Sequence, residues 1–174
     1  MLAVVEFKRP CQDAVDHVAD TMRDADVAEI MASHGHTPRQ ALMGGWDKSN
    51  FSTMTYIDDE PVVMFALEWC EFCWSVRRMF ADYNIPYRSV DLDSVDYQND
   101  DWGGKIRGAL AARTSWTTIP QIFVGGEFIG GCTDAFDAWK EGRLQALLED
   151  NGVAYAKDKD ADPYSFLPTW LHPR

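Results

Sequence analysis

The apolar positions of this chain alternate between two periods, and that alternation lays out most of its elements. "VVMFAL", residues 62–67, is a continuous apolar run of strand length, which suits a strand covered on both faces. Beyond it Val76, Met79, Phe80 and Tyr83 recur at helical spacing, and the helix they predict ends before Pro86, which cannot continue it. "YRSVDL", residues 87–92, reads as a second strand, and "GGKIRGALAART", residues 103–114, as a second helix carrying Ile106, Leu110 and Arg113 at helical intervals. "QIFVGGEFIG", residues 121–130, is two short strands about a Gly-Gly turn. "DAFDAWKEGRLQALL", residues 134–148, closes the run with helix.

The order β-α-β-α-β-β-α predicts an α/β unit over residues 61–150. Its first two strands are joined through a helix and are expected to be parallel, with a right-handed crossover. The last two are antiparallel neighbours. A mixed four-stranded sheet with helices on both faces is the simplest architecture that fits.

The flanks are less patterned. Residues 1–60 are expected to form a mostly helical extension, because Ala14, Val15, Val18, Met22 and then Val27, Ile30, Met31 recur at helical spacing. "FSTMTYI", residues 51–57, resembles a strand and could add an edge to the sheet. Residues 151–174 begin as a charged linker and end in an apolar tail with Phe166, Leu167, Trp170 and Leu171, side chains expected to dock on a surface.

Composition narrows the class. Of the 174 residues 46% are hydrophobic, enough for a buried core, and 13% are aromatic, which argues against disorder. A formal net charge of -12 makes nucleic acid or an anionic membrane an unsuitable partner. No run approaches the ~20 apolar residues that span a bilayer, and no signal peptide is read at the start. The expected address is therefore the cytosol, where thiols stay reduced, and four cysteines at positions 11, 70, 73 and 132 do not form a structural disulfide framework.

Candidate chemistry gathers at "EWCEFCWSVRR", residues 68–78. Cys70 follows a buried strand and opens a helix, where free N–H groups and partial positive charge favour a thiolate. Cys73 lies about one helical turn on, within reach for a disulfide, and Arg77 and Arg78 add positive charge along the helix. Glu71 opposes these. An exposed attacking sulfur with a shielded second one is what a dithiol exchange site needs. The rival reading is half of a zinc site completed by His34 and His36.

A second segment points the same way. In "TTIPQIFVGGEFIGGCTD", residues 117–134, Ile119-Pro120 is a candidate cis bond whose backbone could pair with an extended peptide. "GGCTD" opens a helix whose N–H groups could hold a carboxylate, with Asp134 for an amine. Together they describe a site for a peptide bearing a thiol and a free α-amino acid end.

With "WCEFC", "TIPQIFV" and "IGGCTD" in this order, residues 61 to about 150 resemble a glutaredoxin of the thioredoxin-fold superfamily. The resemblance implies glutathione as cofactor and a dithiol oxidoreductase acting on protein disulfides and glutathionylated substrates. It implies Cys70 as nucleophile and Cys73 as resolving thiol. Trp69, Thr118, Ile119, Pro120, Cys132, Thr133 and Asp134 would bind glutathione, Ile119 through its backbone and Thr133 and Asp134 at the γ-glutamyl end. No metal-binding residue is implied and a monomer is expected. The alternative within the family is a [2Fe-2S] cluster held between two protomers by the nucleophilic cysteines and two glutathiones. Glu71 in place of the usual Pro removes one feature that disfavours this assembly. Two departures touch glutathione binding: Leu67 stands where family members carry Lys, and Trp116 and Thr117 stand where a basic residue or Gln is common. Arg113 is a candidate for the missing charge.

Overall fold

A computed structural model describes residues 48–168, which from Ser49 onward belong to one compact unit. The expected helices between 11 and 42, His34, His36, Trp170 and Leu171 lie outside the described residues. The elements run α1 (Lys48–Asp59), β1 (Val62–Ala66), α2 (Glu71–Asp82), β2 (Arg88–Asp91), α3 (Trp102–Thr114), β3 (Gln121–Val124), β4 (Glu127–Gly130), α4 (Cys132–Lys140) and α5 (Arg143–Asp150). Short 3-10 turns precede α3 and close the described chain at Pro163–Phe166.

The sheet is mixed, in the order β2-β1-β3-β4. β1 pairs parallel with β2, and β3 pairs antiparallel with both β1 and β4. This is the thioredoxin-like α/β architecture expected above, and β1 lies inside it as its unbroken apolar run requires, all five residues buried.

The pleat of β1 divides the core in two. Val62, Met64 and Ala66 face Val76, Met79 and Phe80 of α2 and Tyr83 just past its end, Phe136 and Trp139 of α4, and Leu144 and Leu148 of α5. Val63 and Phe65 face Ile106 and Leu110 of α3 together with Tyr56 and Ile57 of α1. Helices thus cover both faces. The Gly125-Gly126 turn joins β3 to β4 with both residues at positive φ, 55° and 81°, and a Cβ on Gly125 would meet the Asn151 side chain at 2.2 Å.

Two local expectations change. Residues 51–57 belong to α1, not to an edge strand: Thr53, Tyr56 and Ile57 are buried at helical spacing, so contact with the sheet face overrides the β preference of Phe, Thr and Tyr. The closing helix is two helices, α4 and α5, divided at Glu141 and Gly142. In residues 153–168 Val153 is buried, and Tyr155, Tyr164, Phe166 and Leu167 pack against the α2–α4 core, the last two being side chains expected to dock. Among the described residues no helix is long and apolar enough to cross a membrane.

Candidate active site

Cys70 is the residue before the first turn of α2, with extended backbone, and its carbonyl accepts the Trp74 N–H at 2.9 Å to start the helix. The turn that delivers it from β1 is pinned on two sides. The Glu68 N–H donates to Asp93 Oδ1 at 2.7 Å, and the Trp74 indole Nε1 donates to the Glu68 carbonyl at 2.7 Å. Cys70 is thereby held, half-exposed, at the positive end of the α2 dipole.

Cys73 sits one turn deeper and is fully buried. Burial pushes its thiol far up, the neighbouring Cys70 adds to the effect, and the Leu67 N–H, donating to Sγ at 3.5 Å, opposes it. The two sulfurs are both free thiols with opposite settings: one accessible, one shielded and protonated.

Opposite Cys70 lies the segment before β3. The Ile119-Pro120 bond is cis, and the Cys70 Sγ–H points to the Ile119 carbonyl at 3.8 Å. Thr118 is exposed, Ile119 half-buried and Pro120 buried. Gly131, Cys132, Thr133 and Asp134 form the next wall, at the start of α4. Gly130, at φ 122°, makes the bend into it, and a Cβ there would meet Asp134 Cβ at 2.5 Å. Asp134 Oδ2 accepts the Gly131 N–H at 2.8 Å, so one carboxylate oxygen is committed to capping α4. Thr133 is exposed. Cys132 is buried, and burial first, then Cys70 and Asp134, push its thiol up to about 12.

The arginines are not where charge was expected. Arg77 is ion-paired with Asp91, and Arg78 lies over the Phe166 ring at 6.0 Å with Nη1 donating to the Phe166 carbonyl at 3.5 Å. Both are drawn away from Cys70 by partners on β2 and the tail, which helical spacing alone does not reveal. Arg113 is exposed, 5.9 Å over the Phe123 ring. Among the described residues Trp69 packs on nothing substantial, being 88% exposed.

Two residues join the site: Trp116, noted above only as a departure from the family pattern, and Gln121, which the motif reading passed over. Trp116 lies with Nε1 3.9 Å from the place a Gly131 Cβ would take and meets Phe128 edge-on at 6.1 Å, so its indole lines the same trough as Gly131. Gln121 is buried, and its amide donates to the Trp116 carbonyl at 2.8 Å and the Thr118 carbonyl at 3.4 Å, while Thr114 Oγ1 donates to its Oε1 at 3.2 Å. It ties down the loop that carries Ile119. The signal for it was a polar residue opening a strand otherwise read as wholly apolar. Among the described residues no three His, Cys, Asp or Glu side chains converge on a metal position.

The glutaredoxin family model matches residues 62–129, a span that takes in both cysteines, the Ile119-Pro120 segment and the hairpin. The mitochondrial glutaredoxin-2 of Rattus norvegicus is 34% identical over 121 residues, covering 67% of this chain and 74% of that protein. The chain belongs to the glutaredoxin family. Mitochondrial glutaredoxin-2 of Pongo abelii is 36% identical over 104 residues, and the match covers 60% of this chain but only 62% of that relative's length. Among solved glutaredoxins, the buckwheat glutaredoxin-glutathione complex superimposes with a TM-score of 0.55 at 28% identity, covering 67% of this chain and 96% of that one. The glutaredoxin match thus runs through the four-stranded sheet.

Proposed function

We propose that this glutaredoxin is a glutathione-dependent thiol-disulfide oxidoreductase that reduces protein disulfides and glutathione mixed disulfides through Cys70 and Cys73. The observation that carries the reading is the asymmetry of the pair: Cys70 half-exposed at a helix start beside Ile119, Cys73 buried one turn below it. The buckwheat relative solved with glutathione adds support. In the proposed complex Ile119 supplies main-chain pairing, the α4 start at Gly131–Thr133 supplies N–H groups, and Asp134, with one oxygen on the Gly131 N–H, turns the other to an amine.

In the proposed reaction the Cys70 sulfur attacks one sulfur of the substrate disulfide. A new S–S bond forms as the old one breaks, and the departing thiol takes up a proton. With a protein disulfide, Cys73 then attacks Cys70; its proton passes to the released substrate thiol, and the Cys70–Cys73 disulfide carries the two-electron oxidation. With a glutathione mixed disulfide, a second glutathione releases Cys70 instead, and oxidised glutathione leaves. Two glutathiones reduce the enzyme disulfide. Cys73, held protonated by its burial, stays out of the first step.

The test separates the cysteines. Cys70→Ser abolishes reduction of both substrate types. Cys73→Ser spares glutathionylated substrates and impairs protein disulfides; equal loss from both variants would overturn the division of labour. A [2Fe-2S] cluster bridged by Cys70 of two protomers and two glutathiones is the alternative, favoured by an accessible Cys70 followed by Glu71, and colourless protein after anaerobic reconstitution would overturn it. The reading calls for a reducing compartment, and we retain the cytosol as the proposed address; the mammalian relatives carry "mitochondrial" in their names.

A further inference from the structure

Resting on the exchange chemistry proposed above, we infer that the face around Cys70 selects its disulfide substrates, favouring polypeptide segments with lysine or arginine and an apolar side chain beside the cysteine over anionic ones. Three large aromatics lie within four positions of the nucleophile and turn outward: Trp69, 88% exposed, Phe72, 39%, and Trp74, 56%. Single exposed apolar residues are ordinary, but the described residues hold only five large exposed ones, and three of them stand here. The concentration is on the reactive face.

Charge on the same face has one sign. Glu68 and Glu71 are exposed on either side of Trp69 and Cys70, and neither is ion-paired among the described residues. Arg77, one turn on from Cys73, is committed to Asp91. Leu67 contributes no charge. A cationic segment therefore meets two open carboxylates, and its ammonium or guanidinium groups can rest on indole faces. An anionic segment meets the same two carboxylates in repulsion, opposed only by the partial positive charge at the start of α2.

The surface is also set in advance. Asp93 holds the Glu68 N–H and the Trp74 indole holds the Glu68 carbonyl, so the backbone bearing Trp69 and both carboxylates needs little ordering on contact. A second copy of the chain is a poor occupant, since two molecules each carrying -12 repel.

The experiment uses two peptides identical except that two lysines flanking the cysteine in one are glutamates in the other, each disulfide-bonded to the same small thiol. Their reaction with the reduced full-length chain is followed in single turnover, and each rate is divided by that with free cysteine to remove intrinsic reactivity. The cationic peptide is expected to win by about tenfold at low ionic strength, with the ratio shrinking as salt rises. Glu68→Lys/Glu71→Lys should collapse or invert it. Any change these lysines make to Cys70 itself cancels in the ratio. A leucine beside the peptide cysteine should add about fivefold over alanine, a gain that Trp69→Ala removes. A ratio near one, unmoved by the double variant, overturns the inference while leaving the exchange chemistry standing. No exchange with either peptide overturns that chemistry and the inference with it. Sedimentation showing a dimer that shields the aromatics assigns the face to a second copy and overturns it too.

Discussion

Replacing Gln121 with glutamate tests how the site is held, because it changes one amide to a carboxyl at constant shape. The Gln121 amide serves two carbonyls, Trp116 at 2.8 Å and Thr118 at 3.4 Å, from a side chain only 1% exposed as a residue. A carboxylate there faces two carbonyl oxygens with no proton to give. Holding it protonated at pH 7 instead costs about 3.7 kcal/mol against an ordinary Glu pKa near 4.3. The single acid proton then satisfies Trp116, and the weaker bond to Thr118, an exposed residue that water can reach, is lost at about 0.5–1 kcal/mol. Thr114 keeps a partner, because its single hydroxyl proton, lying between Gln121 Oε1 and the Leu110 carbonyl at 2.8 Å, can serve Leu110 alone. Gln121→Glu should therefore lose about 4–5 kcal/mol at pH 7 and only about 1 kcal/mol near pH 4. The sign follows from linkage: the introduced carboxyl has its pKa raised in the native state, so its stability is intact below about pH 4.3 and drains away as pH rises. Urea unfolding followed by tryptophan fluorescence, wild type beside variant at each pH, measures this; with a slope of about 1–3 kcal/mol/M the pH 7 midpoint drops by more than 1 M. If Ile119 pairs with the substrate as proposed, loosening it should also raise KM for mixed-disulfide substrates. A destabilisation equal at both pH values, or below about 0.5 kcal/mol, would refute the anchoring role.

Two further outcomes follow from burial. Alkylation of the native protein between pH 7 and 8.5, mapped by mass, should modify Cys70 and spare Cys73 and Cys132, whose thiols burial pushes up. The same burial makes stability fall with alkali: the native state keeps the Cys132 proton up to about pH 12, whereas the unfolded chain gives it up near the ordinary 9.0, so unfolding midpoints decline above pH 9. Ending the chain at Gly152 uncovers Tyr83, whose main-chain carbonyl accepts the Ala156 N–H at 2.7 Å and whose ring meets Phe166 at 6.2 Å, and Phe136, which meets Tyr164 at 5.5 Å. That truncation should lower stability by at least about 3 kcal/mol in thermal or urea unfolding. In the cold it should retain exchange at Cys70, which the length of α2, about 18 Å, separates from Tyr83.

The order of elements and the place of Cys70 were legible in the chain because they rest on local rules. A short apolar run makes a strand buried on both faces, a Gly-Gly pair makes a hairpin, and a cysteine between strand and helix stands at that helix's start. These outcomes need no knowledge of distant residues. Cys73's depth was legible for the same reason, since it lies one turn along a helix whose inward face Val76 and Phe80 define.

What only the folded chain decided depended on long-range partners. Residues 51–57 have strand-forming side chains, yet they form a helix because Tyr56 and Ile57 find Val63 and Phe65 across the sheet. Arg77 and Arg78 read as charge for the nucleophile until Asp91 and Phe166 claimed them. Asp93 reaches the Glu68 N–H beside the nucleophile only once β2 lies parallel to β1. Periodicity reports which face of an element is apolar. It carries no information about which polar group will stand opposite another, because that is set by crossings between elements remote in sequence, and it is there that charge and hydrogen bonding in this site were settled.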